Sequence, residues 1–469
     1  MLFVAAKQPR QHEHQQQQPV QALGTHALQC TFAPSAALVR AARSDASWPQ
    51  PSRPPSLQHQ ALQLRADGWK AALKQHRIDL RYPSLVGALQ DGLSIGIVPP
   101  ERTSIATHFN FALESPDVVS AIVPKELTSN RFPGPYSSAA EVEAILGPFQ
   151  TAPLGLLPKP NGKFRLTQDF SFPRQTTNAN QTPSFNSALN IEQCPTTWYT
   201  FDNICDTILQ LLRTAQAFVR DVTSAFHQIH LHRKQRTVTV VECQRQFYID
   251  QFLAFGLGPA CGAIGLVGDA FADVCRASGL GPTEHWVDDN GFFRVLITHL
   301  PALNAHRASI RTSVLSEAVR QLGRLYWTDN SENMLAEFFS HTLRTLPHTE
   351  DRYNCGLGDI DAIFKDLGWP WELDKDSPWA GVFIYGVIMV SIGTREVALP
   401  DKERQKYLGT IEEWRRKGSR HQLSDAQRLF FQLQHANTVH AKGSLSSQRT
   451  ARPHTLRLTL PSPAIPTTT

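Results

Sequence analysis

Three aspartates in two short segments could carry metal-dependent chemistry. Asp221 lies at the end of the apolar segment Ala217-Phe-Val-Arg-Asp-Val222, and Asp288 and Asp289 share the acidic turn that follows Trp286. Carboxylate oxygens are the ligands that Mg²⁺ prefers, and bound phosphates can complete its coordination. Two such ions held side by side catalyse phosphoryl transfer. The spacing alone is a weak signal, because an Asp-Asp pair in a turn is most often structural.

The segments around these aspartates favour elements that would bring the three side chains together. Residues 217–222 are typical of a buried strand, and residues 284–295 are typical of a strand, an acidic tight turn and a second strand. Between them, Ala260 to Ser278 fits a long helix with Gly279 as its C-terminal stop. We therefore expect the three carboxylates to lie at one sheet edge.

Two further hairpins are predicted on either side of Asp221. Leu154 to Leu157 and Lys163 to Thr167 alternate as strands around the turn Pro158-Lys-Pro-Asn-Gly162, which gives this hairpin a basic tip. Residues 237–242 and 246–250 form the second predicted hairpin.

Composition excludes several classes of protein. Of 469 residues 41% are hydrophobic, and the Gly and Pro content is ordinary, so wholesale disorder and collagen are excluded. The longest uncharged apolar run, residues 379–393, is shorter than a membrane span, and the N-terminus lacks a basic leader. Seven cysteines without a C-x-x-C spacing favour free thiols in a reducing compartment and no zinc site. We expect an intracellular protein of cytoplasm or nucleus, not secreted and without a membrane partner.

The positive charge is concentrated near the C-terminus. The whole chain has a net charge of +5, but residues 401–457 contain twelve Lys or Arg against five Asp or Glu, a net of +7. This region includes two predicted amphipathic helices, Asp401 to Lys417 and Ser424 to His440, whose apolar faces we expect to pack on each other. The charge favours a polyanion partner. A solvated helical face explains it equally well.

At these segments the chain resembles reverse transcriptases of eukaryotic retroelements, over about residues 130–440. The resemblance rests on five blocks in the order of that family. They are Leu157-Pro-Lys-Pro-Asn-Gly-Lys-Phe-Arg-Leu166, Val219-Arg-Asp-Val-Thr-Ser-Ala-Phe-His-Gln228, Phe252-Leu-Ala-Phe-Gly-Leu257, Trp286-Val-Asp-Asp289, and Leu399-Pro-Asp-Lys402 leading into Lys406-Tyr-Leu408. The segments Gly147-Pro-Phe149 and Cys194-Pro-Thr-Thr-Trp198 are most similar to elements that also encode a tyrosine recombinase.

The resemblance implies a role for each matched residue in copying a nucleic acid template-primer with dNTP. Two Mg²⁺ ions, or Mn²⁺, would be held by the three aspartates. The remaining roles are sugar selection by Phe226, triphosphate contacts by Lys159 and Arg165, contact with the nascent base pair by Phe255 and Gly256, proton donation to pyrophosphate by Lys375, and phosphate contacts by Lys406, Arg415, Arg416, Lys417 and Arg420. Without the resemblance, Phe226 would be a core residue, Phe255-Gly256 a helix-entry turn, and the basic residues solvated.

The implied fold is an α+β right-hand polymerase with a ferredoxin-like antiparallel palm, strand-rich fingers and a helical thumb. A recombinase encoded by the same element is an implied partner. The predicted organisation is a disordered Gln/Pro-rich arm (1–65), an N-terminal helical extension (66–150), fingers (151–220), palm (221–299), an insertion (300–358), palm continuation and primer grip (359–400), thumb (401–440) and a disordered tail (441–469).

The chain also departs from the family pattern. Trp286 replaces the usual Tyr, the primer-grip region has Tyr385-Gly-Val387 in place of Tyr-Leu-Gly, and neither an RNase H continuation nor a protease triplet is recognisable. The sequence therefore leaves open a catalytically inactive, truncated relic that still binds nucleic acid. An unrelated nuclease with an Asp/Asp-Asp metal site is a third, weaker alternative.

Overall fold

The computed structural model describes residues 64–440 except 160–161, 175–182, 191–193, 195, 197–200, 322–323, 330–331, 336–340, 417 and 419. The predicted tail, and the predicted arm apart from residues 64 and 65, lie outside the described residues. The rest mixes helices with antiparallel strands, as the α+β expectation requires. It forms two compact units, the larger of residues 64–329 and 333–396 and the smaller of 397–440 with Glu332. No helix in the described part is long and apolar enough to cross a membrane.

Short helices precede the first strand. They are α1 (Ala66–Gln75), α2 (Leu85–Asp91), α3 (Asn110–Leu113), α4 (Pro116–Thr128) and α5 (Ala139–Leu146). Ser138 caps the start of helix α5, because its hydroxyl accepts a hydrogen bond from the Glu141 amide at 3.3 Å. Helix α1 buries Trp69 and Leu73 in the main core.

The hairpin of β1 (Leu154–Pro158) and β2 (Phe164–Gln168) follows, and then α6 (Phe185–Ala188) and α7 (Phe201–Gln210). A second hairpin consists of β4 (Val240–Cys243) and β5 (Gln246–Ile249). Leu154, Leu156, Val241 and Tyr248 pack in one apolar cluster. The second hairpin, within the predicted palm range, therefore shares a core with the first, within the predicted fingers range.

A three-stranded antiparallel sheet lies at the centre of the larger unit. Strand β7 (Asp289–Arg294) is in the middle, between β3 (Gln216–Asp221) and β6 (Thr283–Trp286). Helix α8 runs Ala260–Ser278, as predicted, and ends at Gly279 with φ +86°, a conformation that glycine adopts without strain. Helix α10 (Leu357–Lys365) packs beside it, where Phe271 and Phe364 stack with ring centroids 4.3 Å apart.

The predicted insertion is more regular than its polar sequence indicates. It contains the long helix α9 (Leu300–Glu317) and the strands β8 (Val319–Gln321), β9 (Arg324–Asp329) and β10 (Glu332–Leu335). Strands β8 and β9 pair antiparallel.

The remaining strands form after α10. Residues 382–391 are a hairpin of β11 (Val382–Tyr385) and β12 (Ile388–Ser391), because Gly386 and Val387 both have positive φ and reverse the chain. Strand β13 (Glu396–Ala398) follows. The smaller unit contains α11 (Asp401–Arg415) and α12 (Leu423–His440).

Candidate active site

The central sheet brings the three predicted aspartates to one edge. Asp221, the last residue of β3, is directly opposite Asp289, the first residue of β7. Asp288 lies in the tight turn before β7, and its carbonyl accepts a hydrogen bond from the Val222 amide at 3.0 Å. Val287, in the same turn, has φ +57°. A β-branched residue in this conformation is strained, by about 1–2 kcal/mol, and such strain is concentrated at functional sites.

Burial and neighbouring carboxylates raise the pKa values of Asp288 and Asp289. Burial and then the charge of Asp221 raise the pKa of Asp288, while Lys375 and Arg165 oppose the rise. Burial, followed by the charges of Asp288 and Asp221, raises the pKa of Asp289 to about 7. The negative charge at this edge therefore exceeds the positive charge around it, and such an excess favours binding of a cation.

Lys375 reaches this edge from another part of the chain. Its ammonium Nζ lies 2.6 Å from Oδ2 of Asp221. Burial alone would lower the pKa of Lys375, but the hydrogen bond and charge of Asp221, with the charges of Glu372 and Asp288, raise the pKa above its usual value. Lys375 is therefore a protonated group in contact with the carboxylate cluster at neutral pH.

The raised pKa of Asp289 predicts how stability depends on pH without metal. The folded protein binds this proton more tightly than the unfolded chain, so the resulting stability is fully present below the unfolded pKa of about 4. It is lost as the pH rises through the folded pKa of about 7. Asp289→Asn should therefore become more stable than wild type between pH 4 and 8, by on the order of 2 kcal/mol.

Urea unfolding in EDTA at several pH values measures this difference. The matched control is Asp374→Asn, which removes an exposed carboxylate from the Leu373–Lys375 turn and should change stability equally at every pH. Parallel pH profiles for wild type and Asp289→Asn would contradict the electrostatic description of the edge.

The aspartates suit Mg²⁺ by chemistry, since they offer oxygen ligands with uncompensated charge. In the arrangement that the structure shows, one Asp221 oxygen is occupied by Lys375. Among the described residues, no group of three or more His, Cys, Asp and Glu side chains is arranged to hold a metal ion. The three aspartates therefore have the ligand chemistry of a Mg²⁺ site. Their side chains, however, are arranged around the Asp221–Lys375 ion pair.

Arg165 and Lys159, the two residues of the β1–β2 hairpin predicted to contact a triphosphate, differ in their relation to the aspartates. Arg165, on β2, is exposed, and its charge acts on Asp288. Lys159 is exposed in the turn, where its amide donates a hydrogen bond to the Lys163 carbonyl at 2.7 Å. The structure therefore relates Arg165 to the aspartates and places Lys159 at the tip.

Phe226 and the Phe255-Gly256 turn are neighbours. The rings of Phe226 and Phe255 meet edge to face with centroids 5.5 Å apart. Gly256 has φ +102°, and an added Cβ would lie 3.2 Å from the Gln168 carbonyl oxygen, so glycine is required there. Asn186, which the sequence did not single out, donates to the Gly256 carbonyl at 2.9 Å and accepts from the Gly258 amide at 2.8 Å.

The tip of the β11–β12 hairpin contacts the acidic turn. The Tyr385 hydroxyl donates to the Asp289 carbonyl at 3.3 Å, and the Gly386 amide hydrogen bonds to Asp289 and lowers its pKa. The rings of Tyr385 and Trp286 meet edge to face with centroids 6.3 Å apart. In the sequence this segment is distinguished only by its departure from the family pattern, whereas in the structure its contacts support Asp289.

In the smaller unit, one predicted phosphate contact is ion-paired and the two helices pack together only in part. Lys406, predicted to be free for phosphates, is paired through Nζ with Oε2 of Glu403 at 3.0 Å, because the two side chains lie three residues apart on α11. Arg415, Arg416 and Arg420 are exposed, and Lys417 lies outside the described residues. The apolar faces meet only in part: Tyr407 is buried and its hydroxyl lies 2.9 Å from Nδ1 of His435, whereas Leu408, Phe430 and Leu433 are exposed.

No protein-family profile and no curated protein matches the chain. Among solved structures, the chain is similar to the foamy viral protease-reverse transcriptase. For the complex of that protein with an RNA/DNA hybrid, the TM-score is 0.44 and the sequence identity is 13%. The match covers 87% of this chain and 45% of the viral chain. For its complex with dsDNA, the TM-score is 0.42 and the sequence identity is 13%. The match covers 82% of this chain and 64% of the viral chain. The chain thus spans less than two thirds of each viral protein.

Proposed function

We propose that the chain is the polymerase region of a retroelement reverse transcriptase, an RNA-directed DNA polymerase that adds dNTP to a primer 3′-OH. The observation that carries this proposal is the convergence of Asp221, Asp288 and Asp289 at one sheet edge with Lys375 in contact. The three aspartates belong to two of the five ordered sequence blocks, and the resemblance separately implies the role of Lys375. Sequence resemblance and three-dimensional placement therefore support the same reaction.

The topology around the site supports a polymerase palm. On the free side of β3, residues 371–380 run antiparallel to it, with bridges between Val222 and Trp371 and between Ala217 and Ala380. With residues 371–380 as the fourth strand position and helices α8 and α10 between the strands, the order is β-α-β-β-α-β, the ferredoxin-like pattern. The β4–β5 hairpin and the segment from α9 to β10 are insertions into this order. We assign this sheet to the palm, the β1–β2 and β4–β5 hairpins to the fingers, and α11 and α12 to the thumb.

In the proposed reaction, each residue acts on a different part of the substrates. Bound Mg²⁺ would activate the primer hydroxyl and stabilise the phosphoryl group, and Asp221, Asp288 and Asp289 would hold it. Lys375, protonated, would give its proton to the departing pyrophosphate. Arg165 and Lys159 would contact the triphosphate. Phe226 would lie under the sugar, with Phe255 and Gly256 beside the new base pair.

A catalytically inactive, nucleic-acid-binding relic is the second candidate. The observation that favours it is the Lys375–Asp221 ion pair, which occupies a carboxylate that a metal would need. Template-primer extension with Mg²⁺ separates the two candidates: extension identifies the enzyme, and binding without extension identifies the relic. Primer loss in the absence of dNTP would instead indicate a nuclease. A recombinase partner remains a prediction from the resemblance.

The thumb assignment predicts salt-dependent binding of duplex nucleic acid. Each phosphate that a cation neutralises contributes a log-log slope of about −0.9, because counterions are released. Changing Arg415, Arg416 and Lys417 together to Ala should therefore flatten the slope by roughly two to three units and weaken binding to all sequences alike.

Fluorescence anisotropy across a salt series measures this slope. The matched control is Arg428→Ala, since the Arg428 guanidinium lies 3.7 Å from a carboxylate oxygen of Asp425 on the same helix. If the triple variant has the wild-type slope, the charged region is a solvated face and the thumb assignment is withdrawn.

A further inference from the structure

A fully buried arginine immediately precedes Asp221 on β3. The Arg220 side chain is 0% exposed. Its Nε and Nη2 donate to the two carboxylate oxygens of Asp376 at 2.9 and 2.8 Å, and Nη1 donates to Asp361 at 2.6 Å. The guanidinium carbon also lies 5.1 Å from the ring centroids of Phe218 and Trp371. Bidentate pairing of this kind fixes both distance and orientation.

Stability alone is a poor explanation for this arrangement. Burying two charges costs several kcal/mol per ion, and well-packed apolar side chains of similar volume often serve as well or better. The Arg220–Asp376 pair does, however, fix the position of the backbone at Asp376. Asp376 is the residue next to Lys375.

The backbone on either side of Lys375 is attached to β3. The Glu372 amide donates to the Asp221 carbonyl at 3.0 Å, and the Ser377 amide donates to the Val219 carbonyl at 3.2 Å. Between these two attachments the chain forms the short 3₁₀ turn Leu373–Lys375. The Lys375 side chain is 58% exposed and touches the sheet edge through Asp221. Asp376 follows this turn and pairs with Arg220, the residue before Asp221 on β3.

We infer that the Arg220–Asp376 pair is a positioning device that holds Lys375 against the carboxylate edge, with Arg220 and Asp376 acting through Lys375 and touching no substrate. The inference rests on the proposed polymerase function of this site. It assigns a role to an arginine that the sequence blocks include but that none of the implied family roles uses.

The test compares two isosteric changes that remove a carboxylate from the same arginine. Asp376→Asn removes the partner beside Lys375, whereas Asp361→Asn removes the partner on α10 and is the matched control. Asp376→Asn should lower the rate of single-nucleotide addition at saturating dNTP by about 10- to 100-fold, because small displacements of a proton donor are costly. The KM for dNTP should stay within about threefold, and Asp361→Asn should retain the wild-type rate within about threefold.

A double-mutant cycle separates positioning from a general structural role. In a Lys375→Ala background, Asp376→Asn should cause no further loss, because the group that it positions is already absent. An equal fold-loss with and without Lys375 would overturn the inference. If Asp376→Asn fails to fold, Asp376→Glu, which keeps the charge and shifts it by one methylene, takes its place in the same cycle.

Amide hydrogen exchange tests the device without relying on activity. The amides of Glu372 and Ser377 should exchange faster in Asp376→Asn than in wild type or in Asp361→Asn. Unchanged exchange would overturn the inference even in an active enzyme. A wild-type chain that adds no nucleotide would contradict the proposed function, while the exchange result would still decide whether Arg220 and Asp376 fix this segment.

Discussion

Asp221→Asn should abolish nucleotide addition, with a fall on the order of 10³-fold or more, while the protein stays folded. Asn has nearly the same shape as Asp but lacks the charge that the proposed metal ions require. The charge of Asp221 raises the pKa values of Asp288 and Asp289, so its removal also relieves repulsion at the edge. The variant should therefore lose activity without losing thermal stability in EDTA. Single-turnover addition of one dNTP measures the rate.

Magnesium binding provides an independent readout of the same change. A ligand that binds only the folded state raises the melting temperature, so Mg²⁺ should stabilise wild type and have a much smaller effect on Asp221→Asn and Asp288→Asn. Asp374→Asn, in the exposed turn near the site, should behave as wild type in both assays. Near-wild-type nucleotide addition by Asp221→Asn would remove Asp221 from the mechanism.

Phe226→Ala should admit ribonucleotides. The proposed place of the ring is under the sugar, where it leaves no room for a 2′-OH. Space for one small group changes the discrimination between dNTP and rNTP by roughly 10- to 200-fold. The ratio of addition rates for the matching dNTP and rNTP measures the effect, and it does not depend on how much of the variant is folded. This matters because the ring also packs on Phe255 and its loss removes that contact.

The matched control is Phe226→Tyr, which keeps the ring and its edge-to-face contact. It should retain the preference for deoxyribonucleotides. Wild-type discrimination in an active Phe226→Ala protein would show that the side chain is only part of the core.

The parts of the fold that depend on local pattern could be predicted from the sequence. Helix α8 has the predicted bounds because its apolar spacing and Gly279 are local signals. The convergence of Asp221 with the acidic turn followed from recognising two strands and ordering the blocks. These inferences need only neighbouring residues and a family pattern.

Contacts between distant segments could not be predicted in the same way. Arg220 lies 141 residues from Asp361 and 156 residues from Asp376 along the chain, and nothing in the local sequence marks the three as partners. The same holds for Asn186 and the Gly256 turn. The pairing of Lys406 with Glu403 is local, but the net charge of the region concealed it.

The most direct test of the proposed function is addition of a single nucleotide to a DNA primer on an RNA template of defined sequence. With Mg²⁺, the 469-residue chain should add only the dNTP complementary to the next template base and should release pyrophosphate. It should add nothing in EDTA and should move on to the following base only when that dNTP is supplied. Tight binding of the template-primer without addition of the complementary dNTP would contradict the assignment of this chain as a polymerase.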